Sequence, residues 1–103
     1  MNKKKSIRWD RKAKEHLDNI YEYIAQDSIP IAKHVRKELV TLVGSLNDFP
    51  EKYSPEEFLI DEPENYRSIC RWSYKIIFEI TEQYIIIVDI FHTSQHPGKI
   101  TTR

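Results

Sequence analysis

The chain has 103 residues, 40% of them hydrophobic and 31% charged, with two Gly and five Pro. That is one domain's length with apolar material for a single core, and it excludes a collagen-like, low-complexity or wholly disordered chain. Sixteen basic residues balance sixteen acidic ones, whereas a protein that grips nucleic acid through phosphates alone is normally basic.

Met1–Lys5 reads as a flexible basic tail. It resembles the n-region of a signal peptide, but Ser6-Ile7-Arg8-Trp9-Asp10-Arg11 follows where an apolar stretch would be required. Ser6–Trp9 is then a short first strand, with Ile7 and Trp9 on one face. Asp10 caps a helix over residues 11–26, whose core stripe is Leu17, Ile20, Tyr21 and Ile24. Asp27-Ser28-Ile29-Pro30 ends it and starts a second helix, because Pro in a first turn forfeits no intrahelical bond. Its stripe is Ala32, Val35, Leu39, Leu42, Val43 and Leu46, ending near Asn47-Asp48-Phe49-Pro50. A break this short folds the two helices into an antiparallel hairpin.

Pro50–Asn65 is acidic and Pro-containing, and reads as a loop. The period then changes to two in the segments 66–72, 74–81 and 84–91, which are rich in Ile, Tyr, Phe and Trp. Ser73 is a candidate turn, Thr81-Glu82-Gln83 a hairpin turn, and Ile85–Val88 a run buried on both faces. The order β-α-α-β-β-β predicts a single α+β domain over residues 1–103, with the helical hairpin packed on a small, mostly antiparallel twisted sheet. No repeat or linker divides it. The longest apolar run, Ile85–Val88, is far too short to span a membrane, and the single cysteine, Cys70, has no internal partner. A reducing, cytoplasmic location with no membrane contact is expected.

Net neutrality conceals a pattern. Residues 1–14 carry +6, residues 47–66 carry −6 and residues 67–103 carry +2. Patches of this kind act locally even when the total vanishes. Equally, the first can be a solvated tail and the second a solubilising loop.

Basic and hydroxyl-bearing residues gather in the strand region. Arg67, Arg71 and Lys75 are spaced by four, which keeps strand side chains on one face if no turn intervenes. Such a pair of arginines suits a phosphate, or pairs with the acidic loop before it. RNA cleavage needs a base for the 2′-hydroxyl, a cation for the phosphorane and an acid for the leaving oxygen. Arg67, Arg71, His92, Tyr74 and Glu57 are the candidates, and Lys75, Arg8 and Lys12 are candidates for gripping the target. A lone His at a strand end can also simply bond backbone. His16 and His34 are expected to be solvated on helix surfaces, Cys70 to be a small buried hydrophobe, and Trp9 and Trp72 to be core or interface anchors. There is no Gly-rich phosphate loop, CxxC, HExxH or GxSxG, so no metal or cofactor is called for.

Ile7–Ala13, Asn19–Ile24, Asn65-Tyr66-Arg67, Trp72–Ile80 and Ile87–Pro97 together resemble the RelE/ParE toxins of bacterial type II toxin–antitoxin systems. The resemblance spans about residues 6–100 and implies the β-α-α-β-β-β fold just read from the periodicity. It implies a growth-inhibiting toxin, of the plasmid-stabilisation kind, held in a hetero-oligomer by a cognate antitoxin. RelE-like members cut ribosome-bound mRNA as endoribonucleases; ParE-like members block DNA gyrase without catalysis. Arg67, Arg71 and His92 fall in places like those of the nuclease branch, which favours mRNA cleavage. Ribosome-dependent mRNA cleavage is therefore the leading expectation, and gyrase inhibition is the alternative, which the missing basic surplus and the ending Lys99-Ile100-Thr101-Thr102-Arg103 favour. An inactive, antitoxin-binding relic is the third reading. In each case an acidic antitoxin segment is expected over Arg67 and Arg71.

Overall fold

A computed structural model of the chain describes residues 5–94. The elements are β1 (Ser6–Trp9), α1 (Arg11–Ala25), α2 (Ile29–Gly44), β2 (Asn65–Arg71), β3 (Tyr74–Ile80) and β4 (Tyr84–His92). Short 3-10 turns at Ser45–Asn47, Pro50–Lys52 and Glu57–Leu59 carry the chain from α2 to β2. Among the described residues the strands form one sheet in the order β1-β4-β3-β2, with β1 parallel to β4 and the other pairs antiparallel. The element order and the α+β class agree with the sequence reading.

The helix starts follow from their caps. Asp10 Oδ2 accepts a hydrogen bond from the Lys12 backbone N–H at 3.0 Å, and Ser28 Oγ accepts from the Ile31 N–H at 3.2 Å. Each satisfies a donor that a first helical turn leaves without a backbone partner. The stripes then face the sheet. Ala13, Leu17, Leu39, Val43 and Leu46 close over Ile76, Phe78, Ile85, Ile87 and Ile90 to form the main core. Fully burying each large apolar side chain contributes roughly 1.5–3 kcal/mol. On the other face of the sheet Leu59, from the loop's last 3-10 turn, covers Tyr66, Ile77 and Val88. That second cluster explains why β3 and β4 are apolar on both faces.

One irregularity decides which residues reach the helix side near the end of β4. The β3–β4 register slips between Ile77 and Phe78, which pair with Asp89 and Ile87 and leave Val88 as an extra residue. An extra residue in one strand resets the alternation beyond it. Ile87 and Ile90 therefore both enter the main core, and His92 stands opposite Tyr74.

The β2–β3 hairpin is closed by Trp72 and Ser73, because Arg71 pairs with Tyr74. Trp72 has φ of 53°, in the left-handed region, where a side chain costs on the order of 1–2 kcal/mol relative to Gly. Its ring lies 6.1 Å from the His34 ring and 4.8 Å beneath the Arg71 guanidinium, contacts that hold the turn against α2.

Three expectations are corrected. The turn at Trp72-Ser73 interrupts the spacing of four, so Arg67 and Arg71 share the helix-side face with Ile69, while Lys75 lies on the opposite face with Ile77. Cys70 is exposed rather than buried, because β2 is the outer strand and Cys70 alternates away from the helices. His16 is not simply solvated; it is drawn onto Asp89 of β4. His34 is exposed on α2, as expected, but its ring lies against Trp72.

Candidate functional site

Each sequence-predicted cation has a partner within the fold. Arg67 donates from Nη1 to the backbone carbonyls of Glu51 at 3.0 Å and Tyr53 at 2.6 Å, and from Nε to Asn65 Oδ1 at 3.2 Å. It clasps the acidic loop onto the outer strand through main-chain carbonyls rather than carboxylates. Two backbone bonds, Glu56 N–H to Tyr66 O and Ser68 N–H to Ser54 O, complete that join. Arg71 Nη2 lies 2.8 Å from Glu38 Oε1 on α2. Lys75 Nζ lies 2.7 Å from Glu56 Oε1, whose carboxylate is fully buried and also accepts the Phe58 N–H at Oε2. Arg8 stacks over the Tyr84 ring at 4.2 Å and donates to its hydroxyl. Lys12 Nζ lies 3.6 Å from Asp89 Oδ2.

Glu57 is exposed on its 3-10 turn, and the loop's buried carboxylate is its neighbour Glu56. Of the proposed catalytic residues, three fall in one cross-strand row. Arg71 pairs with Tyr74 and Tyr74 with His92, and the Tyr74 and His92 rings meet edge to face with centroids 5.4 Å apart. Arg67 and Glu57 lie outside that row. Of the closing motif, Gln95, His96 and Pro97 lie beyond the described residues, as do Met1–Lys4 and residues 98–103.

Beside Tyr74 and His92 the fold opens a cleft of about 470 Å³. Its α1 wall is His16, Asn19 and Tyr23, and its β wall is Tyr74, Ile90 and His92. The cleft exists because β1 ends opposite Ile87, whereas β4 runs on to His92 beside α1. Asp89 anchors the back of it. Its side chain is 3% exposed, and a buried carboxylate is tolerated only when charge and donors meet it. Lys12 and His16, one turn apart on α1, provide both.

Hydrogen bonding sets the two histidines in opposite senses. A carboxylate only accepts, so the 2.6 Å contact has His16 Nδ1–H donating to Asp89 Oδ1; in the neutral ring Nε2 is then the acceptor. The Ser94 backbone N–H donates to His92 Nδ1 at 3.1 Å, so neutral His92 carries its proton on Nε2. Tyr74, edge to face with His92, has its phenol pushed above the usual value by burial and, second, by the nearby Tyr23. With both rings neutral, Nε2 is thus an acceptor on His16 and a donor on His92. Among the described residues no group of His, Cys, Asp or Glu is placed to hold a metal ion, and no helix is long and apolar enough to cross a membrane.

The sequence reading missed Asp89, His16 and Glu56. Asp89 had a signal, a charge inside the apolar run Ile85–Phe91, which demands a buried partner. Lys12 and His16 at i and i+4 on α1 are that partner. Glu56 carries no signal that separates it from Glu57.

Sequence comparison gives a family match. The model for the ParE toxin of the type II toxin–antitoxin system, parDE, matches residues 7–97. Comparison with curated proteins found no match. Among solved structures, the chromosomal ParDE toxin–antitoxin system from P. aeruginosa is similar with a TM-score of 0.70 at 24% identity, covering 86% of this chain and 96% of that one. The RelBE2 toxin–antitoxin complex from Mycobacterium tuberculosis is similar with a TM-score of 0.65 at 16% identity, covering 87% and 99%. At such identities these structures speak to the fold, which they share. The family match runs from β1 past the end of β4, and the chain therefore belongs to the ParE toxins of type II toxin–antitoxin systems, within the RelE/ParE family.

Proposed function

We propose that this toxin is neutralised by a cognate antitoxin and arrests growth by binding DNA gyrase rather than by cutting RNA. The observation that carries the reading is the commitment of its cations. A phosphodiester in a cleavage transition state needs cations positioned on it, and Arg67, Lys75, Arg8 and Lys12 are each held by an internal partner, whereas Arg71, half-exposed beside Glu38, is a single such cation. The match to the ParE toxins supports the same branch. Arg71 is half-exposed beside Glu38 and is the arginine that an acidic antitoxin segment can reach; Arg67 is spent on carbonyls. The antitoxin follows from the family, whose solved neighbours are toxin–antitoxin assemblies.

A second reading, ribosome-dependent mRNA cleavage, is favoured by the row Arg71–Tyr74–His92. The two readings separate in one experiment. The purified toxin is added in parallel to gyrase with relaxed plasmid, and to translating ribosomes carrying labelled mRNA. Gyrase inhibition with intact mRNA is expected; cut mRNA with undisturbed supercoiling overturns the proposal.

A further inference from the structure

The sheet has two outer strands, β1 and β2, and among the described residues the chain covers only the second. There the acidic loop supplies the cover: the Ser68 N–H donates to Ser54 O, the Glu56 N–H donates to Tyr66 O, and Pro55 bridges to Arg67. On β1, no described residue pairs in this way with the backbone of Ile7 or Trp9. The direction of those groups follows from the ladder. In a parallel pair, alternate residues turn both N–H and C=O toward the neighbouring strand. The Ser6 N–H donates to Gln83 O and the Asp10 N–H to Ile87 O, so Ser6, Arg8 and Asp10 face β4 while Ile7 and Trp9 face outward. The side chains of Ile7 and Trp9 are half-buried at the margin of the main core, whereas Ile85 and Ile87, which pair with them on β4, are fully buried. An outer strand with unpaired backbone groups and an incompletely covered apolar side is a template for a further strand.

We propose that β1 accepts an extended segment of the antitoxin as an additional strand, one in which acidic residues alternate with apolar ones. The proposal rests on the antitoxin reading above, and its contact lies at the opposite edge of the sheet from Arg71. Charge selects the occupant. Residues 1–14 carry +6, and exposed Arg8 alternates away from the core-facing Ile7 and Trp9. The same charge disfavours a second copy of this strand. Antiparallel pairing of Ile7 with Trp9 between two copies sets their Arg8 side chains directly opposite each other, which is destabilising. The acidic loop of another copy is no substitute, because its backbone is already committed to β2 and to Arg67. On the added strand, apolar side chains extend the cover over Ile7 and Trp9, and carboxylates on the other face stand beside Arg8.

The test follows amide hydrogen exchange of the isotope-labelled, full-length toxin by nuclear magnetic resonance, alone and in complex with its cognate antitoxin. In the free toxin the Ile7 and Trp9 amides are expected to exchange faster than that of Arg8, which faces β4. In the complex both are expected to slow by about tenfold or more, as amides do when they enter a ladder. Arg8→Glu is expected to weaken antitoxin binding by about tenfold, the scale of reversing cross-strand charge pairs, and to lose less at high salt. Arg8 is exposed, and far-ultraviolet circular dichroism checks that the variant folds; if it does not, the exchange measurement on the wild type decides alone. Ile7 and Trp9 amides already protected in the free toxin would show the edge closed by the toxin itself or by a second copy, and overturn the proposal. An antitoxin that binds and leaves both amides fast overturns the added strand while the antitoxin reading stands. Arg8→Glu bound as tightly as the wild type overturns the acidic character of the segment. A toxin that binds no antitoxin overturns both readings.

Discussion

His16 Nδ1 lies 2.6 Å from Asp89 Oδ1, although the two residues are 73 positions apart in the chain. This bond ties the exposed side of α1 to the strand that β1 has stopped accompanying, and so shapes the cleft wall. Asp89 is 2% exposed, whereas the side chains of its partners Lys12 and His16 are 28% and 39% exposed. Removing Asp89 thus frees two groups that water can reach, and costs less than stranding the carboxylate would. Asp89→Ala is expected to lose about 1–3 kcal/mol of stability, measured by urea unfolding. An unchanged midpoint would show that the contact contributes nothing.

The Lys75–Glu56 pair is the reverse case. Glu56 is fully buried, so Lys75→Met leaves a carboxylate without its cation, at a cost of about 3–5 kcal/mol. Adding Glu56→Gln to that variant is expected to recover a large part of the loss. A double-mutant cycle checks this, and additive losses in the double variant contradict a coupled pair.

Arg67 acts on the loop. Its planar fork reaches two carbonyls and an amide oxygen, a set that the single ammonium of lysine does not reproduce. Arg67→Lys is expected to make Pro50–Asn65 more susceptible to limited proteolysis while growth arrest persists. Lost arrest with an unaltered digestion pattern would instead place Arg67 in the activity.

Tyr74 gives a pH dependence. Its phenol is raised above the usual value of about 10, so the folded state holds that proton more tightly than the unfolded chain. The resulting stability is fully present below the ordinary tyrosine range and is lost as pH rises through the raised value. Ultraviolet titration of tyrosinate is expected to show a late-ionising component that Tyr74→Phe removes. A variant with an unchanged titration curve contradicts this.

Much of the fold was legible because its signals are local. Asp10 and Ser28 cap their helices, Pro30 opens the second one, and the change to period two at Tyr66 marks the sheet. The site was legible only in part, because its logic depends on register. The two-residue turn at Trp72 sends Lys75 to the opposite face from Arg71, and the extra residue at Val88 brings His92 opposite Tyr74. A one-residue slip exchanges faces, and no local pattern announces where it occurs. The bond between His16 and Asp89 depends on how α1 lies along β4, a relation that spacing along the chain does not encode.

The central claim is that the toxin acts on gyrase. The most direct measurement is the topology of a reporter plasmid taken from cells at the onset of growth arrest. The account predicts that negative supercoiling falls before bulk mRNA is degraded. Normally supercoiled plasmid in arrested cells, with mRNA already cut, would contradict it.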